Sequence, residues 1–282
     1  MAVDYILTLS CPDKPGIVHA ITGVLASRGV NILDLRQFSD PTSNRFFMRV
    51  HFGPTDLPVA ELRAPFDALV DEFKMTYDIR TAAQKTRVLI MVSKIGHCLN
   101  DLLYRAKAGQ LPIEICLIVS NHPEFESLAQ SYGIPFHHLP VTKDTKTQQE
   151  TQVLDLVKAH SVELVILARY MQVLSPMLCE AMSGRIINIH HSFLPSFKGA
   201  KPYHQAYERG VKIIGATAHF VTADLDEGPI IEQRVVRVDH SMGPADLTRE
   251  GSNIESQVLA AAVGWYAQRR VFLNEAKTVV LN

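Results

Sequence analysis

Residues 87–120 read RVLIMVSKIGHCLNDLLYRAKAGQLPIEICLIVS, and this stretch decides the class of fold. It opens and closes with short apolar runs, 87–93 and 114–120, that are rich in valine and isoleucine. Such runs are typical of fully buried parallel strands. Between them, apolar residues recur at helical spacing from 97 to 108. A strand, a helix and a second strand in this order predict a parallel βαβ unit.

The same alternation continues toward the C-terminus. The further predicted elements are helices at 123–132 and 147–160, strands at 163–167, 186–190, 212–221 and 229–238, and a helix near 245–270. The last two strands are longer and amphipathic, which indicates an antiparallel edge. The whole pattern predicts an α/β, Rossmann-like doubly wound sheet.

A smaller unit precedes this region. Its pattern is a strand at 5–9, a DKPG turn, a helix that ends at Gly29, two strands joined by a turn, a second helix and a last strand at 75–80. This βαββαβ order predicts a ferredoxin-like fold. We therefore divide the chain into a domain at 1–82, a linker at 83–86 and a second domain at 87–282.

Composition limits the classes of partner. The 282 residues are 47% hydrophobic and 20% charged, with a formal net charge of −1, as in an ordinary globular protein. No basic surplus indicates nucleic acid or an anionic membrane, so a small neutral or anionic metabolite is the expected partner. Four scattered cysteines, no secretory signal pattern and no run of 18 apolar residues predict a reduced, cytoplasmic protein that does not span a membrane.

A polar trio interrupts otherwise apolar strands. Asn188 and His190 stand two residues apart in RIINIHHSF, so a strand presents both on one face, at its carboxyl end. Asp226 lies in the turn-rich ADLDEGP segment after the strand that contains GATAHFV. Each residue also has an ordinary structural role in turns or hydrogen bonds. Their combination at one strand end and one neighbouring loop favours a functional site.

Three other kinds of site fit the sequence poorly. The first strand-to-helix turn, KIGHCLN, has one glycine, unlike a nucleotide-binding turn. Twelve histidines show no metal-binding spacing, and adjacent histidines on a strand point to opposite faces, so we expect no metal. No GxSxG motif indicates a serine nucleophile. What remains is non-covalent acyl chemistry, in which an amide and an imidazole stabilise an oxyanion and a carboxylate moves protons.

The first unit resembles ACT domains in LSCPDKPGIVHAITGVLASRGVNILDLRQF. The resemblance implies assembly of a homo-oligomer through ACT sheets, and an amino-acid effector such as glycine or methionine. The residues that it implies for effector binding are Asp13, Lys14, Pro15, Gly16, Gly29, Val30, Asn31 and Ile32. The alternative is a unit that only assembles subunits.

The second domain resembles folate-dependent formyltransferases in LARYMQVLSP, INIHHSFLPSF and GATAHFVTADLDEGPII. By this resemblance the family's catalytic Asn, His and Asp fall on Asn188, His190 and Asp226. The residues implied for binding a folate substrate are Ala168, Arg169, Tyr170, Met171, Gln172, Val173, Leu174, Ala223, Asp224 and Leu225.

Two departures set the chain apart from the amine-acceptor transferases of this family. The transferases bind a sugar phosphate on a glycine-rich first turn, which KIGHCLN replaces, and they lack an ACT unit. Both features resemble the 10-formyltetrahydrofolate deformylase family, in which water is the acceptor. That resemblance implies hydrolysis to formate and tetrahydrofolate, without a cofactor, in support of purine synthesis and the balance of one-carbon folates. We expect the first turn, with Lys94 and His97, to fill the former acceptor pocket.

Two alternatives differ in class from this hydrolase. The first is a formyltransferase that uses an amine, or a charged initiator tRNA, as acceptor. The second is a non-catalytic amino-acid-sensing protein with a degenerate formyltransferase fold. Release of formate without an added acceptor distinguishes all three.

Overall fold

The computed structural model of the chain describes residues 2–194 and 202–282, so the PSFKGAK part of the polar-trio motif lies outside the described residues. The chain divides into two compact units. The first comprises the chain up to Gln84 together with Gln268–Asn282, and the second is Lys85–Ala267. Within the described ranges, none of the helices combines the length and the apolar character that crossing a membrane requires.

The first unit is a four-stranded antiparallel sheet with two helices. Its elements are β1 Val3–Pro12, α1 Ile17–Ala26, β2 Ile32–Asp40, β3 Arg45–Thr55, α2 Val59–Phe73 and β4 Thr76–Thr81. The strand order β2-β3-β1-β4 confirms the predicted βαββαβ plan. Alternate residues of β1, including Leu7, Leu9 and Cys11, are buried. They share one hydrophobic core with Ile21 of α1 and Phe66 of α2.

The second unit is built on a seven-stranded mixed sheet. Its elements are β5 Thr86–Val92, α3 His97–Lys107, β6 Ile113–Ser120, α4 Glu126–Ser131, β7 Phe136–His138, α5 Lys146–Ala159, β8 Leu164–Leu167, α6 Pro176–Ala181, β9 Ile186–His190, α7 Pro202–Glu208, β10 Ile213–Phe220, β11 Ile230–Arg237 and α8 Pro244–Ala267. Strands β5 to β9 pair in parallel, and β10 and β11 are antiparallel. The predicted doubly wound sheet and its antiparallel edge are confirmed.

The order of the strands in the seven-stranded sheet determines where the site lies. The chain lays β6 and β7 on one side of β5 and then returns to lay β8 and β9 on the other side, giving the order β11-β10-β9-β8-β5-β6-β7. Helices that start from β5 and β8 therefore leave in different directions, which opens a crevice at the carboxyl ends of these strands. The segments that follow β5, β8 and β9 all begin at this edge.

In the described part of the second unit, three short elements escaped the sequence analysis. Strand β7 has three residues, and α6 and α7 have six and seven. Elements this short show too little periodicity for detection. A local signal existed only for α6, where Ser175 caps the helix by accepting from the Leu178 amide and Pro176 occupies the first turn.

The C-terminal segment departs from the predicted division of the chain. The last helix ends at Ala267, before the expected 270, and a hairpin of β12 Val271–Asn274 and β13 Lys277–Val280 follows. The sequence had assigned these residues to the 87–282 domain, whereas they group with the first unit. Asn274 donates to the Asp40 carboxylate at 2.6 Å, and the Phe272 ring packs edge-on against Phe47 at 5.7 Å. These contacts anchor the hairpin on β2 and β3 of that unit.

Candidate active site

A cavity of about 250 Å³ opens beside the carboxyl ends of β8 and β9. The trio Asn188, His190 and Asp226 lines it, together with the segment after β8 and the loop after β10. Register explains how the strands bring the trio together. Leu167 of β8 pairs with Asn188, and on the other side of β9 the antiparallel strand β10 leads into the loop that carries Asp226.

His190 is held on both ring nitrogens. Its Nδ1 lies 3.2 Å from Asp226 Oδ2, and its Nε2 lies 2.8 Å from the Ser192 hydroxyl. A carboxylate only accepts hydrogen bonds, so Nδ1 carries the proton and donates to Asp226. Both neighbours can also accept, which lets the site satisfy both N–H groups of a positively charged imidazolium.

His219 is a fourth polar member that the sequence analysis missed. It pairs directly with Asn188 across β9 and β10, so both side chains project on the same face. Its Nδ1 donates to the Phe220 carbonyl at 2.8 Å. Its Nε2 lies 3.2 Å from the Asn188 amide nitrogen and 3.6 Å from Asp226 Oδ1. In the sequence, Thr217 and His219 alternate with apolar residues on a buried strand, which indicates that both face one side. Only the strand register shows that His219 lies opposite Asn188.

Asp226 is kept ionised by these neighbours. Hydrogen bonds from His190 and His219 hold the pKa of its carboxyl far below the ordinary value of 3.8, although burial acts in the opposite direction. Its backbone is left-handed, with φ of 58°. Gly228 follows, and a β-carbon there would overlap the Phe220 carbonyl oxygen at 1.7 Å. The DEG sequence thus permits a tight return that aims Asp226 at the two imidazoles.

The predicted folate-binding residues lie together, with one exception. All but Ala168 line the cavity, namely Arg169, Tyr170, Met171, Gln172, Val173, Leu174, Ala223, Asp224 and Leu225. Ala168 is fully buried and does not line the cavity. Ser93, at the end of β5, fixes the first segment because its hydroxyl accepts from the Met171 amide at 3.0 Å and donates to Asn121. The exposed apolar side chains of Met171, Val173 and Leu225 border the cavity.

A buried ionic cluster adjoins the cavity. The Glu255 carboxylate of α8, 1% exposed, accepts from Tyr203 at 2.5 Å, lies 2.7 Å from His97 Nε2 and lies 3.4 Å from Arg169 Nη1. Burial alone would raise the pKa of Glu255, but the contacts with His97 and Arg169 hold it below its ordinary value. Lys94, which was expected to help fill this region, is exposed.

Among the residues that the structure describes, one set of side chains has donor atoms close enough for a metal ion. His97, Cys98 and Glu255 offer donors within 4.8 Å of one another. The Arg169 guanidinium at the same carboxylate disfavours a second cation there, and burial raises the pKa of the Cys98 thiol. These residues therefore fit a proton-bearing ionic cluster better than a metal site.

The two predicted effector segments of the first unit lie far apart. Residues 13–16 follow the end of β1, where the Asp13 amide donates to the Asn44 carbonyl. Residues 29–32 lead into β2 at the opposite end, where the Asn31 carbonyl accepts from Gly53. The ten-residue helix α1 separates the two segments and spans about 15 Å at about 1.5 Å per residue. One small amino acid cannot touch both segments of one chain.

Comparisons with known proteins fit this architecture. A family model described as "Formyl transferase" matches residues 86–263, and an ACT domain model matches residues 5–62. A formyltetrahydrofolate deformylase of Corynebacterium sp. (strain P-1) is 53% identical over 281 residues, which cover 99% of this chain and 98% of the relative.

Solved structures of similar proteins have the same fold. The crystal structure of formyltetrahydrofolate deformylase from Burkholderia mallei superposes with a TM-score of 0.96 at 55% identity, covering 99% of this chain and 100% of the other. A glycinamide ribonucleotide transformylase from Symbiobacterium toebii reaches a TM-score of 0.67 at 29% identity, covering 73% of this chain and 98% of its own.

Proposed function

The chain belongs to the formyltetrahydrofolate deformylase family, and from this membership we propose how its site works. The enzyme is a hydrolase that cleaves 10-formyltetrahydrofolate into formate and tetrahydrofolate. One observation above all supports the roles proposed below. The His190 imidazole and the Asp226 carboxylate face each other at 3.2 Å, in the same cavity as the Asn188 amide.

Folate binding is assigned to the two segments that wall the cavity, 169–174 and 223–225. A flat heteroaromatic ring needs apolar faces and a few polar groups at its edge. Met171, Val173 and Leu225 supply apolar surface, and the backbone of both segments supplies N–H and C=O groups. Ala168 packs behind this wall and has no contact role in the proposal. The folate is the substrate, and no step of the proposed reaction uses a cofactor or a metal.

Attack on the formyl group is assigned to a water held by Asp226. The carboxylate is ionised and faces the cavity, so it can accept a hydrogen bond from water and take its proton. The water oxygen then bonds to the formyl carbon, and the carbonyl oxygen becomes an oxyanion. The Asn188 amide and the imidazolium of His190 stabilise that charge.

Collapse of the intermediate breaks the bond between the formyl carbon and N10. The electron pair of this bond goes to N10, which receives the proton that Asp226 took from water. The remaining carboxyl group loses its proton to solvent and leaves as formate. Ser192 and Asp226 contact the two ring nitrogens of His190 and so keep the ring oriented during this step.

Replacing Asn188 tests the proposal most directly. We expect wild type to release formate and tetrahydrofolate in equal amounts without any added amine. Asn188→Ala should lower kcat by about 10²–10³ with little change in KM, because the amide acts on the oxyanion and not on the bound ground state. The measurement is formate release under saturating substrate.

Asn253→Ala, an exposed position on α8, is the matched control and should retain wild-type kcat. Wild-type kcat in Asn188→Ala would show that the amide has no part in the reaction. A protein that needs an amine before it releases the formyl group would be a transferase.

The first unit is assigned a regulatory role. It matches the ACT domain model, and we propose that it binds an amino acid whose synthesis consumes or supplies one-carbon units, such as glycine or methionine. We further propose that ACT sheets join copies of the chain into a homo-oligomer. The formate released would serve purine synthesis, and the reaction would balance the pool of one-carbon folates in the cytoplasm.

A further inference from the structure

Arg169 has an unusual backbone for a residue with a side chain. It stands two residues after β8 with φ of 64°, in the left-handed region. Glycine adopts this conformation freely, whereas a residue with a β-carbon is disfavoured by roughly 1–2 kcal/mol. Strain of this kind persists where the surroundings hold it in place, and it concentrates at functional sites. The left-handed backbone at Arg169 therefore indicates a functional role for its side chain.

The Arg169 guanidinium is buried beside a single buried carboxylate. The side chain is 9% exposed, and its Nη1 lies 3.4 Å from Glu255 Oε2. Within the described part of the chain, Nε and Nη1 have no hydrogen-bond partner. A buried cation of this size is tolerated because Glu255 balances its charge. Hydrogen bonding therefore does not explain why an arginine is buried at this position.

Four separate elements supply the members of this cluster. Arg169 follows β8, Glu255 belongs to α8, Tyr203 to α7 and His97 to the first turn of α3. The same space also excludes a side chain at position 251, because a β-carbon on Gly251 would lie 2.1 Å from the Tyr203 ring. Tyr203 therefore packs closely on α8, and together with His191 it borders a second cavity of about 170 Å³.

The cluster continues up to the reacting groups. The His191 ring stacks on His190 with centroids 5.1 Å apart, and both rings line the cavity with Arg169. Burial, followed by the positive charges of Arg169 and His190, lowers the pKa of His191 to about 4. His191 is therefore neutral near pH 7 and adds bulk without charge. His191 thus links His190, on which it stacks, to Arg169, whose charge acts on it, and Arg169 in turn lies beside Glu255.

The position of Arg169 in the cavity wall matters because the fold also occurs in an amine-using enzyme. The transformylase from Symbiobacterium toebii shares the fold over 73% of this chain. An enzyme that transfers a group to an amine must admit that amine beside the formyl carbon, whereas a hydrolase must admit water and exclude amines. Arg169 lines the cavity with His190 and His191, so its side chain takes up space that an amine, larger than water, would need beside the formyl carbon.

We propose that Arg169, held by Glu255 and backed by Tyr203 and His97, is the residue that restricts the nucleophile to water. The inference rests on the proposed function and deepens it, since it identifies what separates hydrolysis from transfer at the same trio. If an amine entered, its nitrogen would bond to the formyl carbon and the bond from that carbon to N10 would break. The amine would lose one proton and N10 would gain one, so no further reactant is needed.

Arg169→Gly in the full-length protein is the decisive variant. Glycine suits the left-handed backbone and removes the whole side chain. Purified wild type and variant are each given 10-formyltetrahydrofolate with a small primary amine, glycinamide, and both formate and formylglycinamide are measured. We expect the ratio of formylated amine to formate to rise at least about tenfold in Arg169→Gly, because one excluded group in a pocket commonly changes discrimination by that much.

Arg269→Gly is the matched control, since Arg269 also has a left-handed backbone, with φ of 59°, but lies outside the second unit. Its product ratio should equal that of wild type. Should Arg169→Gly fail to fold with Glu255 left unbalanced, the double variant Arg169→Gly with Glu255→Gln removes both charges and is held to the same expectation.

The outcomes separate the inference from the function beneath it. An unchanged product ratio in a folded variant that still releases formate overturns the role of Arg169 and leaves the hydrolase intact. A wild type that releases no formate overturns the proposed function, and the inference with it. A rise in the ratio in both arginine variants would also overturn the inference, because the effect would not be specific to the cluster.

Discussion

Two residues of the site, Arg169 and Asp226, have left-handed backbones although neither is glycine. Each stands where the chain leaves a strand and must turn sharply, and each side chain meets a charged or polar partner that fixes it. Asp226 meets His190 and His219, and Arg169 meets Glu255. Backbone strain thus occurs both where the site aims its carboxylate and where it places its buried cation.

The ionisation of Asp226 yields a prediction with a definite pH dependence. Its pKa in the folded protein lies below the ordinary 3.8, because hydrogen bonds from His190 and His219 favour the anion. The stabilisation that this anion gives the fold is complete above 3.8 and is lost only as the pH falls through the lower folded-state value. The carboxylate is consequently charged throughout the neutral range. Asp226→Asn should lower kcat/KM by about 10²–10⁴.

Because Asp226 does not titrate in that range, the loss should be the same factor at pH about 5.5 and about 8. The measurement is kcat/KM for wild type and Asp226→Asn at both pH values. A defect that disappears at the acidic end would mean that the native carboxyl is already protonated there, contrary to the contacts with the imidazoles.

At the scale of elements, the register between β9 and β10 assembles the site. Asn188 pairs with His219 and His190 pairs with Thr217, so one face of two strands presents both imidazoles. A shift by one residue would turn these side chains to the opposite face. The hairpin β12–β13 also depends on contacts between residues distant in sequence. The fifteen C-terminal residues that contain it follow the long α8 but belong to the first unit.

Phe272 allows the hairpin's contribution to be measured. Its ring packs on the fully buried Phe47, so Phe272→Ala should lower the stability of the first unit by about 1–2 kcal/mol, less than the loss for a fully buried ring. Hydrogen exchange at the amides of Phe46, Phe47 and Met48 reports this locally, and exchange should become faster.

Leu273→Ala is the matched control, because Leu273 is the next residue and is 44% exposed. Its effect should stay within about 0.5 kcal/mol. Equal exchange rates in wild type and Phe272→Ala would show that the hairpin does not stabilise β3.

At the scale of the whole molecule, the two units serve different chemistry. The second contains the trio and the cavity walls proposed to bind folate and matches the formyl transferase model, whereas the first matches the ACT domain model. The separation of residues 13–16 from 29–32 bears on regulation. An effector that touches both kinds of segment must take one from each of two chains, so effector binding and assembly would be coupled.

Titration calorimetry on the full-length protein tests this coupling. We expect saturable heat with glycine or methionine, a change in the rate of formate release, and a mass by light scattering of at least two chains. Glutamate, which the proposal does not favour, is the control ligand. Neither heat nor a rate effect from either amino acid would leave the first unit with assembly alone.

The sequence by itself determined the local features. Buried apolar runs and helical periodicity predicted the ferredoxin-like unit, the doubly wound sheet and its antiparallel edge, because the periods of strand and helix are properties of consecutive residues. The spacing of Asn188 and His190 likewise predicted a shared face at a strand end. The doubly wound pattern also predicted a ligand site at the carboxyl edge of the sheet, where the cavity lies.

Tertiary structure alone decided the rest. His219 joined the trio through the register of two strands, and Glu255 reached Arg169 from a helix 86 residues further along the chain. The C-terminal hairpin grouped with the first unit, and the two effector segments came to lie at opposite ends of one sheet. These facts depend on contacts between residues distant in sequence. Such contacts are selected by the packing of the whole fold, and local periodicity carries no record of them.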